Sequence, residues 1–395
     1  MISVARSNRY HIAIFGRRNV GKSSLVNSLA GQAVSIVSDV AGTTTDTVWK
    51  NIELPGVGAA VIADTAGFDD AGELGSMRVD AARKVLARAD AAILLLGEYD
   101  GDTTLEKEWL AQMKEQQLSV ITLVGKCDIE GSAERIALWQ KALDCDIVTF
   151  SAINGEGREA LLERIAMLYK QDDDLDDITH SLVKPGDVVV LVMPQDVSAP
   201  KGRIIQPQVQ TLRNLLDKHC IPLCCAPEEL PRLLQSLVAP PQLIITDSQV
   251  FATVEKLTPP ETKLTSFSVL MARHKGDIDE FRKGAKILLA LPPTARVLIA
   301  EACSHIPQNE DIGRVKLPRL LRSKLGDGLQ IDVVGGNDFP VDLAGYDIVI
   351  HCGACMFNRR TVLSRVRQAK AQGVPITNYG IAIAALTGII DKVVM

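Results

Sequence analysis

The sequence predicts an α/β protein with mainly parallel sheets, arranged as one larger block followed by two smaller α/β domains. Three observations predict it. Short apolar runs alternate with helical patterns, a glycine-rich turn joins the first such run to the first helix, and an acidic and a proline-containing stretch divide the pattern. At 395 residues the chain is long enough for two or three domains with their own cores. With 47% hydrophobic and 23% charged residues it is globular rather than disordered in composition.

The first block covers residues 1–170, with strands expected at His11–Phe15, Ala59–Asp64, Ala91–Leu96, Ser119–Val124 and Ile147–Phe150. Residues 171–182, opening with the acidic Gln171–Asp177, read as a solvated linker. A second block over 183–257 offers strands at Asp187–Val192, Ile221–Cys224 and Leu243–Thr246, and a helix at Gln208–Lys218. Leu257–Lys263, with Pro259 and Pro260, reads as a second linker. The third block, 265–395, offers strands at Ala295–Ala300, Leu329–Val333 and Tyr346–His351, with helices at Gly276–Leu289, Val315–Leu325 and Arg359–Gln372.

A net charge of −5 lacks the basic surplus of a general nucleic-acid binder, so no nucleic-acid partner is expected. Apolar runs such as Ala91–Leu96 fall short of the roughly 18–20 residues a spanning helix needs. Met1–Arg9 is polar, unlike a signal peptide. No membrane association and a cytoplasmic location are therefore expected. Thiols stay reduced there, so the eight cysteines read as core residues or metal ligands before disulfides.

Gly16-Arg17-Arg18-Asn19-Val20-Gly21-Lys22-Ser23 fits G-x-x-x-x-G-K-[ST] between a strand and a helix. The glycines let the backbone wrap phosphates, and the N–H groups of the following helix, with Val20, Gly21 and Ser24, point at them. Lys22 supplies a charge for the β- and γ-phosphates, and Ser23 a hydroxyl for Mg²⁺. Asp64-Thr65-Ala66-Gly67 closes a strand, where Asp64 can hold the metal through water and the Gly67 amide can meet a γ-phosphate. Within Gly42–Asp46, Thr44 is expected to complete the metal shell. Lys126 and Asp128 follow a further strand, the Asp128 carboxylate accepting from guanine N1–H and N2, while Ser151 and Ala152 support the base. In this order and context the P-loop and the four motifs that follow it specify a GTP site.

These residues resemble the translation-factor-like GTPases, particularly the Era/TrmE branch, with two departures. Gly125 stands where the family's N-K-x-D has asparagine, which removes a supporting contact and predicts weaker nucleotide binding. Phe68 follows Asp64-Thr65-Ala66-Gly67 where Ras-like proteins place a water-orienting glutamine. The resemblance implies a bound K⁺ held partly by Asn19, in the charge-stabilising part of an arginine finger. The plainer reading of Asn19 is that it shapes the loop.

The third block carries Cys303-Ser304-His305 and His351-Cys352-Gly353-Ala354-Cys355. Cys303 and Cys352 each follow an apolar run, so both are expected at carboxyl ends of strands, the edge where such folds build sites. Three thiolates with an imidazole fit a structural Cys₃His zinc or a [4Fe–4S] cluster with its fourth iron bound by His305, His351 or something exchangeable, beside the plain reading of no metal; either histidine can instead orient the thiolates. Cys127 and Cys145 stand apart from this set, and Cys220, Cys224 and Cys225 read as core residues. His11, His180, His219 and His274 lack partners at ligand spacing.

An Era/TrmE-like domain, a small middle domain and C-x-H…H-C-x-x-C together resemble the [FeFe]-hydrogenase maturation GTPases, the HydF family. Ala199–Leu216 and Thr377-Asn378-Tyr379-Gly380 add to the likeness. The resemblance implies a [4Fe–4S] cluster on Cys303, Cys352 and Cys355 and a homodimer formed through the middle domain. It also implies a scaffold that receives a transient di-iron precursor assembled with the radical-SAM maturases HydE and HydG, and delivers it to apo-[FeFe]-hydrogenase. The competing function is an Era/TrmE-like RNA-maturation GTPase with a structural zinc site.

Overall fold

The computed structural model describes residues 9–30, 48–69, 73–173, 177–194, 204–302, 312–336, 338–354 and 357–394. They fall into two compact units, Met1–Asp174 and Leu175–Met395.

The first unit runs β1 (Tyr10–Phe15), α1 (Lys22–Ala30), β2 (Val48–Leu54), β3 (Gly58–Asp64), α2 (Glu73–Leu86), β4 (Ala91–Leu96), α3 (Thr104–Glu115), β5 (Ser119–Val124), α4 (Ser132–Leu143), β6 (Ile147–Thr149) and α5 (Arg158–Asp173). Its sheet has the order β2-β3-β1-β4-β5-β6. Only β2 is antiparallel, with Val48 opposite Asp64. All six residues of β4 are buried, as an apolar run should be in a strand covered on both faces. One face packs Ile12, Ile62, Ile93, Leu123 and Ile165, and the other Phe15, Leu94, Trp109, Met113 and Trp139. Register sets Ile14 beside Asp64 and Phe15 beside Leu94, so the loops that leave these strands share one edge.

The second unit runs β7 (Val188–Val192), α6 (Gln206–Asp217), β8 (Ile221–Cys225), α7 (Leu230–Ser236), β9 (Leu243–Thr246), α8 (Phe251–Leu257), β10 (Lys263–Ser266), α9 (Phe267–Lys275) and α10 (Ile278–Leu289). It continues through β11 (Arg296–Ala300), a π-turn at Ile312–Lys316, α11 (Leu317–Leu325), β12 (Gln330–Val334), β13 (Ile348–His351), α12 (Arg359–Ala371), β14 (Ile376–Asn378) and α13 (Tyr379–Leu386). Two four-stranded parallel sheets result, ordered β10-β9-β7-β8 and β12-β11-β13-β14.

Two expectations require correction here. The second linker lies inside the unit: Lys263–Ser266 is strand β10, paired along its length with Leu243–Thr246. Val190, Ile244 and Leu264 from one sheet share a core with Val349 and Ile376 from the other and with Phe281 of α10 and Ile381 of α13, so the two sheets pack as one body. The acidic stretch is also not wholly a solvated linker. Helix α5 runs to Asp173, and Asp177 accepts from the Lys218 ammonium at 2.7 Å and the His180 amide at 3.0 Å. Among the described residues no helix is long and apolar enough to cross a membrane.

Candidate nucleotide site and cysteine centre

Glycine is needed at the first P-loop position for space. A Cβ on Gly16 would lie 2.4 Å from the Leu95 carbonyl oxygen, and its φ is 155°. Asn19, exposed, turns the loop at φ 60°. Lys22 opens α1 and is buried, its ammonium donating to the Gly16 and Arg17 carbonyls at 3.1 and 2.8 Å. That bonding keeps the charge inside the loop where phosphates bind. The Ser23 hydroxyl donates to an Asp64 carboxylate oxygen at 2.6 Å, which brings the two expected magnesium-holding groups together. Ser24 is exposed beside them. Gly67 lies tight against the P-loop, since a Cβ there would be 2.8 Å from the Arg18 nitrogen. Asp69 accepts from that same Arg18 amide at 2.7 Å. Thr44 lies outside the described residues.

Phe68 does not face the nucleotide edge. It is buried and stacked on Trp109, with centroids 5.5 Å apart, which suits the expectation that it orients no water. Sequence reasoning missed Arg17 as an anchor. Its guanidinium donates twice to buried Glu106, at 2.6 and 3.1 Å, and also to Asp100 and the Asp102 carbonyl. The Glu106 bond holds its pKa above the ordinary arginine value.

At the base end, the Ser151 hydroxyl hydrogen-bonds Asp128 and keeps its carboxyl below the usual range. Ser151 is fully buried; Ala152, Lys126 and Asp128 are exposed. Burial pushes the Cys127 thiol up, so this cysteine in the base loop is no thiolate.

In the second unit, Cys352 leaves the carboxyl end of β13 as expected. Its sulfur accepts from the backbone N–H of Ala302 at 3.0 Å and of Ala354 at 3.4 Å. Two amides aimed at one sulfur favour the thiolate, the form that binds metal. The register places Ala300 of β11 beside His351, so residue 302 and Cys352 meet at one sheet edge. Asn378 caps α13 through the Gly380 amide and donates its own amide to the Cys352 carbonyl at 3.1 Å. Gly380 is required because a Cβ would come within 2.7 Å of Ser268 on α9. The buried ammonium of Lys275 donates to the Ala354 and Phe357 carbonyls at 2.8 and 3.1 Å, on either side of position 355.

Cys303, His305 and Cys355 lie outside the described residues. Among the described ones no group of three or more metal-binding side chains comes together. His351 is fully buried and both its ring nitrogens are engaged, Nδ1 with the Cys352 carbonyl at 2.8 Å and Nε2 with Arg365 at 3.0 Å. A guanidinium can only donate, so Nε2 accepts and Nδ1 carries the proton. Burial, then Arg365, pushes the His351 pKa down to about 3. Of the two roles open to His351, cluster ligand or a group that orients the thiolates, these bonds suit the second: the ring holds the end of the cysteine strand. His274 is likewise neutral, pushed to about 4 by burial. Cys220 is buried as expected, whereas Cys224 is exposed on edge strand β8 rather than in the core.

The loop, the Lys22–Ser23–Asp64 set and the Asp128–Ser151 pair, on a six-stranded sheet of this order, define a P-loop GTPase. Residues 11–126 match a family model described as a 50S ribosome-binding GTPase. Residues 178–276 match the hydrogen maturase F dimerization domain, and 279–395 the hydrogen maturase F tetramerization domain. The chain belongs to the HydF-type hydrogenase maturase GTPases. It is also similar to the tRNA modification GTPase MnmE of Listeria innocua, 37% identical over 42% of this chain and 36% of that protein. It is 32% identical to GTPase Der of a Synechococcus species, over 52% of this chain and 46% of that one. The chain thus spans less than half the length of these curated relatives. The G domain of the T. maritima FeoB iron transporter aligns with TM-score 0.31 at 24% identity, over 41% of this chain and 99% of that domain.

Proposed function

We propose that this chain is a GTP-regulated scaffold and carrier for the di-iron unit of [FeFe]-hydrogenase, holding a [4Fe–4S] cluster on Cys303, Cys352 and Cys355. The observation that carries the reading is the Cys352 sulfur, aimed at by two backbone amides at a sheet edge inside a maturase F domain. When bound, such a cluster supplies an iron whose fourth ligand can be exchanged, as a loading site needs. Lys275 and Asn378 hold the cysteine loop by its carbonyls, and His351 and Arg365 fix the end of β13. Cargo would pass from HydE and HydG to the apo-hydrogenase, in the cytoplasm, from a homodimer built through residues 178–276.

Magnesium would sit on Ser23 and Thr44, with Asp64 reaching it through water. Guanine would be read by Asp128 with support from Lys126, Ser151 and Ala152. Potassium would lie against Asn19, and exchange for sodium at constant ionic strength is expected to cut GTP turnover at least several-fold. Equal turnover in both salts discards the cation. The RNA-maturation alternative has no support from the domains that follow the GTPase domain.

The test of the carrier reading is low-temperature EPR with iron and zinc analysis on anaerobically reconstituted protein, sized by light scattering, beside Cys352→Ala. A reduced-state [4Fe–4S] signal that is lost in the variant is expected. Stoichiometric zinc without iron would return the third block to a structural tail, and a monomer would remove the dimer.

A further inference from the structure

We propose that Arg135 on α4 is the positioning residue that holds the guanine-reading loop, in the role left open by Gly125. The inference rests on the reading of Asp128 as the guanine acceptor and concerns how its loop is kept in place.

A side chain at 125 would start 3.5 Å from the Val20 carbonyl oxygen of the P-loop and 3.3 Å from Leu95 Cδ1. An asparagine there has a P-loop carbonyl within reach of its amide, and glycine has none to offer. The loop's own backbone bonds are long: Gly125 N–H to the Leu96 carbonyl and Cys127 N–H to the Phe150 carbonyl are both 3.3 Å. Lys126 meanwhile holds a left-handed φ of 56°, which a side-chain-bearing residue keeps only when its surroundings fix it.

Arg135 does the fixing. One of its terminal nitrogens donates to both the Gly125 and the Lys126 carbonyls, each at 2.8 Å. The other donates to Glu98 at 2.9 Å, in the loop that leaves β4. One turn on, the buried Trp139 indole donates to the Gly97 carbonyl at 3.1 Å and meets Tyr99 edge-on. A single face of α4 thus clamps the loops after β4 and β5. The arginine side chain is only 9% exposed, and its Nε is buried without a hydrogen-bond partner among the described residues. A position that served packing alone would be better filled by leucine, because a buried guanidinium with an unpaired N–H is costly. The charge is accounted for by the two carbonyls it holds.

The test is equilibrium binding of GDP, ADP and xanthosine diphosphate to the full chain, with thermal melting, for wild type, Arg135→Leu, Arg135→Lys, Gly125→Asn and Arg135→Leu/Gly125→Asn. Arg135→Leu is expected to weaken GDP by roughly 10- to 50-fold, the scale of one or two charged hydrogen bonds, and to narrow the GDP-to-ADP ratio. Lysine lacks the planar fork and should restore little. Gly125→Asn should recover more GDP affinity in the leucine background than it adds to wild type, since both side chains secure one loop. A parallel loss for GDP and ADP, or a Gly125→Asn effect equal in both backgrounds, overturns the proposal. Asp128→Asn separates the two readings. It should shift preference towards the xanthine nucleotide, whose 2-oxo group accepts where guanine donates. If GDP preference survives that change, the base assignment fails whatever Arg135 does.

Discussion

Replacing Lys22 by alanine is expected to lower kcat/KM for GTP by roughly 10²- to 10³-fold, with little loss of thermal stability. The ammonium makes two charge-assisted bonds to P-loop carbonyls, and the geometry leaves it facing the space the loop encloses. Phosphate oxygens bound there would exchange those contacts for stronger ones to an anion, each contributing about 1.5–3 kcal/mol. Two such contacts amount to about 3–6 kcal/mol gross, and the low end already gives about a hundredfold. Of the two carbonyls left without this donor, that of Arg17 is only partly buried and that of buried Gly16 loses a single bond, so folding should change little beside the kinetic loss. Steady-state kinetics and a melt of the same preparation check both halves. A loss under about threefold in kcat/KM would remove Lys22 from the site, and a large fall in melting temperature would assign it to the fold instead.

Much of this was legible in the sequence, and the reasons are physical. β4 appears at the residues expected because a fully buried parallel strand is an uninterrupted apolar run, and β5, buried over its last four residues, follows the mostly β-branched run Val120–Val124. The three strands that escaped notice lack that signature. β2 carries Lys50, Asn51 and Glu53 on an antiparallel edge, and β14 has three residues. β10 follows two prolines closely enough to pass for the end of a linker. The nucleotide motifs were legible because phosphate, metal and base are met by residues adjacent in sequence or at fixed strand ends. Ser23 and Asp64 accordingly come together, with Lys22 folded into the loop beside them in sequence.

The groups that escaped are those that hold the motifs from a distance. Arg17 is tied to Glu106, Arg135 to the carbonyls of Gly125 and Lys126, and Lys275 to Ala354 and Phe357. Each is a long charged side chain that reads as a solvated face until the fold brings backbone carbonyls or a carboxylate to it. His351 illustrates the converse. Its place beside Cys352 suggested a ligand, and only the packing of α12 reveals that its ring is already bonded on both sides.

Arg365→Leu should be the most destabilising substitution in the second unit outside its apolar core, at roughly 3–5 kcal/mol. The guanidinium is almost fully buried, donating to His351 Nε2 at 3.0 Å and to the Gly336 carbonyl at 2.6 Å. It also lies 4.7 Å from the Phe339 ring centroid and 4.8 Å from that of Phe357. Leucine fills part of the space but leaves the buried ring nitrogen without a donor and the half-buried Gly336 carbonyl without its bond, and two aromatic faces lose their cation, about 0.5–2 kcal/mol each. For a unit of this size about 2–4 °C is lost per kcal/mol, so a fall of roughly 6–20 °C in melting temperature is expected. Arg365→Lys should recover less than half of it, because one ammonium cannot meet the imidazole and the carbonyl while lying flat between two rings. The site should feel the change as well. His351 donates to the Cys352 carbonyl and Phe357 flanks the cysteine loop, so iron retained after anaerobic reconstitution should fall in both variants. Full recovery of stability by lysine would refute the bidentate geometry. A destabilised variant that retains all its iron would separate the buried arginine from the cysteine centre and leave it a role in packing alone.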